Sequence, residues 1–368
     1  TSSGGTSSTC SRTEEVRKSK KVRGSRESAF PVFLPQPSMD IFLQQIINGL
    51  TTGSVYAVVA LGYTMVYGII QLINFAHGEV VMIGAMVAFT VITSLAGGTL
   101  PAPAILLAGV LAAVPTCMVI GYALERAAYR PLRHAPRLAP LITAIGMSII
   151  LQHLALLIWG RNPMAFPQIM ENPVIPIGGA VITGVQIGII LLSFIMMGGL
   201  TWFVYRTRFG IAIRATAENV RVAELMGVNA NRVIAATFVI GAGLGAVAGV
   251  MFGTYYGIVH YTMGFTLGLK AFSAAVLGGI GNIAGAMVGG ILLGLVEALA
   301  TGYIGDLTNL CRWPGLGTSS MLAERCADGG NFVVFGSNYQ DVFAFLMLIL
   351  VLVLRPSGLL GERVSERA

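Results

Sequence analysis

Long apolar runs recur along this chain from about residue 41 to residue 354, separated by short polar loops. One helical crossing of a hydrocarbon layer ~30 Å thick takes ~20 apolar residues, because an α-helix rises ~1.5 Å per residue. Eight such regions stand out, at about 41–73, 79–97, 102–124, 138–160, 180–205, 233–258, 265–304 and 340–354. Charged residues make up 11% of the chain, against ~25% in soluble domains, so there is too little polar surface to wrap these runs in water. The 47 glycines, roughly one residue in eight, fit membrane helices, where glycine is commoner than in soluble ones. Disordered, collagen-like and disulfide-scaffold classes are excluded, and the expected fold is an all-α polytopic membrane bundle of about eight to ten segments.

Two regions are too long for one crossing. Region 41–73 is interrupted by Asn48-Gly49 and Thr51-Thr52-Gly53, and region 265–304 by Gly278-Gly279-Ile280-Gly281-Asn282. One or two broken or re-entrant helices are expected there, since irregular backbone survives in a membrane only where protein or a wet cavity satisfies it.

The net charge of +7 divides unevenly: residues 1–38 hold +4 and the remaining chain +3. Arg126, Arg130, Arg133 and Arg137 fill one short loop, and Arg206, Arg208, Arg214, Arg221 and Arg232 another, whereas the loops at 161–179 and 254–267 are nearly neutral. This is the positive-inside pattern of membrane topology, not a phosphate-binding groove, and nucleic acid is excluded as a partner. Both basic loops are assigned to the cytoplasm, and region 265–304 must cross twice or hairpin back to leave the basic tail there too. Residues 1–38, polar and without an apolar core of signal-peptide length, read as a disordered or non-native extension, with Met39 as the natural start. Cys10, Cys117, Cys311 and Cys326 lack metal-ligand spacing, and Cys117, inside an apolar run, reads as a small buried hydrophobe.

No catalytic constellation emerges. The sequence has no Gly-Lys pair, hence no phosphate-binding P-loop, and no His-Glu-x-x-His. The informative polar residues are those stranded among apolar ones. Asn74, His77 and Glu79 open the second region; they stand either as caps and interfacial groups or as part of a transport route. Lys270, the only lysine after residue 21, and Glu297 can pair across the bundle, or Lys270 can snorkel to an interface. His153 reads as a packed, hydrogen-bonded helix residue, and no metal site is expected. Gly241, Gly245, Gly249, Gly253 and Gly257 recur every four residues, a ridge that lets a neighbouring backbone approach. In the second basic loop, 217–226 reads as a short amphipathic helix, with Val220, Ala223 and Leu225 on one face and Glu218, Arg221 and Glu224 on the other, stopped by Gly227. Its apolar face calls for a partner.

Five segments together resemble the branched-chain amino-acid ABC-transporter permeases of the LivH type. They are Leu61-Gly62-Tyr63 with the run from Gly68 to Gly84, the run from Thr207 to Ala215, Leu225-Met-Gly-Val-Asn229, the run from Lys270 to Gly281, and Arg355-Pro-Ser-Gly-Leu-Leu-Gly361. The resemblance covers essentially residues 39–368. It implies a multi-pass bacterial inner-membrane permease that is not an enzyme and carries no cofactor of its own. It further implies a second homologous permease, two cytoplasmic ATPase subunits that bind the ATP, and a periplasmic amino-acid-binding protein. Residues 207–227, with Arg208, Arg214, Glu218, Arg221, Glu224, Leu225 and Gly227, would resemble the segment that couples to the ATPases. Arg221 departs from the glutamate that opens the general importer motif at that point. Residues 309–334 have no counterpart in the family and read as a loop insert. Closely similar permeases carry urea and short amides. From other classes, an ion-coupled transporter would use Glu79, Lys270 or Glu297, and a channel-like or scaffold protein would need neither ATPases nor an ion gradient.

Overall fold

The computed structural model describes residues 38–303 and 340–361, except 99, 134, 137, 170, 171 and 356. Nearly all of the expected extension and the whole of the expected 309–334 insert lie outside the described residues. Among the described residues, seven helices are long and apolar enough to cross a membrane, and two shorter apolar ones accompany them. The long helices are α1 (Ser38–Ile70), α2 (His77–Leu95), α3 (Ala102–Leu124), α4 (Leu138–Trp159), α5 (Gly184–Arg206), α8 (Ala230–Tyr256) and α10 (Ile283–Tyr303). Between α5 and α8 lie the short polar helices α6 (Arg208–Glu218) and α7 (Val220–Leu225); α9 (Met263–Gly278) and α11 (Gln340–Leu354) are the shorter apolar pair.

Among the described residues, strand is confined to two small antiparallel pairs at the end of the bundle away from the basic loops. Strand β2 (Val174–Ile177) pairs with β3 (Ala180–Thr183) in a hairpin, and β1 (Met164–Ala165) with β4 (Ile258–Val259). The hairpin leads into α5 through a capping box: the Thr183 hydroxyl accepts from the Gln186 N–H while the Gln186 side chain accepts from the Thr183 N–H.

Helix α1 is the axis of the bundle and is buried over most of its length. The break expected near Asn48–Gly53 is absent, and α1 runs unbroken to Ile70. The polar residues there are satisfied without one. Thr51 and Thr52 donate to the carbonyls of Ile47 and Asn48 (2.8 and 3.0 Å), and Asn48 accepts from Gln186 of α5 at 3.2 Å. Gly49 and Gly53 instead form a seam with α10. A Cβ on either would lie 2.8 Å from a Cα of that helix, and one on Gly290 would meet the backbone of Ala57. With no hydrophobic drive between helices in lipid, such backbone approach is what joins them.

The second long region does divide, as α9 and α10 joined at residues 279–282. Gly279, at φ 106, makes that turn, and the C-terminal strap closes over it: the Leu359 and Leu360 N–H groups donate to Leu277 and Gly278, and Asn282 donates to Leu360. Along α8, Gly241 faces Gly62 of α1, Gly245 and Gly249 face Val81 of α2, and Gly253 faces Phe166. Gly257 departs from this ridge. At φ 69 it is the left-handed cap that ends α8, because no side chain is tolerated where the helix turns back.

Replacing Gly53 by Leu is expected to lower stability by about 1–3 kcal/mol through overpacking of the α1–α10 seam. The same change at Gly146 of α4, where a Cβ would meet nothing within 4 Å, should stay within about 0.5 kcal/mol. Thermal unfolding of the two variants in detergent distinguishes them.

Candidate functional site

The stranded polar residues fall into two buried clusters and one exposed segment. The first cluster surrounds the start of α2. Helix α1 stops at Gln71, which takes φ 54, and residues 71–76 turn back into the bundle before α2 begins. Asn74, His77 and Glu79 are all buried within the protein, and the α2 N-cap, Ala76, has no side-chain cap. Asn74 instead organises the turn: its Oδ1 accepts from the Ala76 N–H (3.1 Å) and from the Tyr129 hydroxyl (2.8 Å). Tyr129 is aimed there by a π-turn, Glu125–Tyr129, that prolongs α3; Arg133 pairs with Glu125 and donates to Asn231 at 2.6 Å. His77 packs edge-on against Tyr63, with ring centroids 4.8 Å apart. Glu79 accepts from Ser148 of α4 at 3.2 Å, while its other oxygen finds no hydrogen-bond partner beside Gly264.

The second cluster joins four helices around the middle of α9. Lys270 donates to Glu297 Oε1 of α10 at 2.6 Å, lies 2.6 Å from Asp341 Oδ1 of α11, and reaches the Tyr56 hydroxyl of α1 at 3.3 Å. Tyr56 in turn donates to Glu297 Oε1 at 3.3 Å. Lys270 therefore does not snorkel; it is held by a carboxylate in the bundle. An isolated buried charge is prohibitively costly, and this pairing is what makes both ions tolerable. His260, in the loop before α9, sits 2.8 Å from Thr262, and partial burial holds its imidazole below the ordinary value.

The exposed segment is the second basic loop. The expected single helix over 217–226 is divided: α6 ends at Glu218, and Asn219 caps α7 by accepting from the Val222 N–H at 3.2 Å. An Asn side chain that bonds its own backbone favours a fresh start over a continued helix. The faces differ accordingly. Ala223 is buried, whereas Leu225 and Met226 are 86% and 80% exposed, and Glu218, Arg221 and Glu224 share the open surface. Arg214 of α6 lies over the Tyr205 ring. Arg214 and Glu218 line a polar cleft of about 860 Å³ whose far wall is the 279–282 turn and the C-terminal strap. Among the described residues no group of three metal-ligating side chains occurs.

Residues 45–352 match the family described as the permease component of branched-chain amino acid transport systems. The chain belongs to that family. The permease is similar to the high-affinity branched-chain amino acid transport system permease protein BraD of Pseudomonas aeruginosa, 46% identical over 90% of this chain and 99% of the relative. It is likewise similar to the LivH proteins of Salmonella typhimurium (44%) and Escherichia coli K12 (43%), in each case over 89% of this chain and 97% of the relative. No solved structure matches. This is a multi-pass inner-membrane permease, not an enzyme.

Several members of these clusters escaped the sequence. Tyr56 and Ser148 sit in apolar runs and Tyr129 in the first basic loop, all without local signal, and their roles arise only from partners 55 to 241 positions away. Asp341 did carry a signal, a lone charge at the mouth of the last apolar run. Conversely, His153 bonds Ile149 at 2.9 Å as expected but lies on an exposed face instead of a packed one.

Changing Glu297 to Gln is expected to destabilise the permease by about 3 kcal/mol, because it leaves the Lys270 ammonium without its buried partner. Removing both charges in K270M/E297L should restore most of that loss. Thermal denaturation of the single and double variants tests this.

Proposed function

We propose that this chain is a transmembrane permease subunit of an ATP-binding-cassette importer for branched-chain amino acids. In this reading it works with a second homologous permease, two cytoplasmic ATPase subunits that bind and hydrolyse ATP, and a periplasmic amino-acid-binding protein. The names borne by its relatives support the substrate, since BraD and LivH are named as parts of high-affinity branched-chain amino acid transport systems. The observation that carries the coupling role is the apolar knob of Leu225 and Met226, projecting from a charged segment at the basic end of the bundle. By the charge rule that end is cytoplasmic. Two large apolar side chains held out into water on a capped, ordered helix suit a protein partner rather than solvent.

The coupling segment is mechanically suited to the task. Helix α6 follows α5 directly and packs its buried face, Gly210, Ile213 and Thr216, on the bundle, so a push on α7 passes to α5, α1 and α8. In this reading ATPase closure displaces α6–α7 and tilts the bundle to alternate its access. An ion-coupled transporter would have to rely on Glu79, since Lys270 and Glu297 neutralise each other.

Uptake of radiolabelled leucine by cells carrying the full set of subunits tests the assignment. Changing Leu225 to Glu should lower uptake about thirty-fold, the size of a lost interface anchor, with membrane abundance unchanged and ATP hydrolysis no longer tied to transport. Leucine uptake that persists without the ATPase subunits, or exclusive uptake of urea, would overturn it.

A further inference from the structure

Lys270 meets two carboxylates of unequal standing. Glu297 is the resident one. It belongs to the same α9–α10 hairpin, its side chain is 1% exposed, and Tyr56 donates a second hydrogen bond to the oxygen that Lys270 holds. Asp341 differs in each respect: it sits in the first turn of peripheral α11, and its side chain is 49% exposed. One ammonium against two carboxylates leaves the triad with a net charge of −1. Glu297 alone neutralises Lys270, so the Asp341 contact is surplus to the charge balance. Of the two carboxylates Asp341 is the half-exposed one, so it loses less than Glu297 by giving up the ammonium. The Asp341 contact is therefore the one that exchanges at least cost, and breaking it leaves Lys270 paired and the fold intact. What it vacates is a carboxylate position 2.6 Å from a positive nitrogen that is itself mostly buried.

We propose that Lys270 is a carboxylate-recognising group of the transport route, taking the α-carboxylate of a free amino acid in the place that Asp341 fills here. The inference rests on the reading as an amino-acid importer and deepens it, because it fixes the substrate class as one bearing a free carboxylate. Urea and simple amides have nothing to offer Lys270. Asp341 acts as an internal stand-in that keeps the ammonium covered when no substrate is present. Once displaced, its carboxylate lies beside the substrate's ammonium, so both ends of a zwitterion find an opposite charge, and no proton or covalent bond changes hands.

The test uses the permease–ATPase complex purified into lipid nanodiscs without the binding protein, so that the binding protein's own selectivity does not mask the permease. It is titrated with radiolabelled leucine and with leucinol, in which a hydroxymethyl group replaces the carboxylate. The wild type is expected to bind leucine and not leucinol. D341N removes the internal competitor and keeps the Lys270–Glu297 pair, and should tighten leucine binding about five-fold without creating leucinol binding. K270M/E297L, which deletes the buried pair as a unit, should lose leucine binding while the complex still elutes as an assembly. A purely structural tether at Asp341 predicts the opposite for D341N, namely binding unchanged or weakened. That result, equal binding of leucine and leucinol, no leucine binding by wild type and D341N alike, or binding retained in K270M/E297L would overturn the inference. Failure of the underlying reading shows elsewhere, as absence of ATPase-dependent leucine uptake by the wild-type system in cells.

Discussion

In a hydrocarbon solvent the apolar side chains of this chain gain nothing by leaving lipid for one another, so its helices are joined by how closely their backbones approach. Everything else in the structure is arranged around one such contact, the seam between α1 and α10. Gly49, Gly53 and Ala57 on one side meet Gly290, Ile291 and Gly294 on the other, with no room for an added Cβ. That seam places α1 on the axis. The remaining buried helices, α2, α8 and α9, then pack on its other faces, again through Gly62, Gly241 and Gly268. Helices α4 and α5 keep most of their surface outward, as lipid-facing helices do.

Close packing obliges each buried polar side chain to find its partner within the protein. Lys270 and Glu297 are tolerable only as partners, which locks the spacing of α9 against α10 and brings Tyr56 of α1 into the same network. Asn74 spends its carbonyl oxygen on a turn that would otherwise carry orphaned N–H groups. Satisfaction is incomplete: Glu79 is bonded through Ser148 on one oxygen only, and Glu297 Oε2, His77 Nε2 and the Ser54 and Thr64 hydroxyls also lack a hydrogen-bond partner. The polar residues that look anomalous in the sequence are thus mostly the ties between helices.

What could be read in advance follows from how local each signal is. Apolar run length located the crossings, and the arginine-rich loops located one end of the bundle, because both depend on the solvent and not on partners. The Gly278–Asn282 break was legible since two positive-φ glycines within four residues cannot continue a helix. The Asn48–Gly53 break was misread for the complementary reason. The same residue types serve helix packing when a partner lies across from them, and the α10 residues they meet are about 240 positions further along the chain. The division of 217–226 at Asn219 turned on whether a side chain caps or solvates, which periodicity does not reveal.

The α9–α10 hairpin ties the two ends of the molecule together. Its turn is clasped by the strap at Leu359 and Leu360 and forms one wall of the cleft whose other wall is Arg214 and Glu218 of α6. Its far half carries Lys270 and Glu297, and through Asp341 it holds the start of the same helix, α11, whose end becomes the strap. One continuous element therefore clasps the hairpin at its turn and packs along both of its arms. Within the hairpin Gly285 and Gly289 press on the backbone of Gly278 and Ala274, so its two arms cannot slide past each other without a clash. A close-packed unit of this kind moves as a body instead of deforming. A displacement at the α6 cleft that reaches the turn is then felt at Lys270, about two turns of helix away, with nothing soft in between to absorb it.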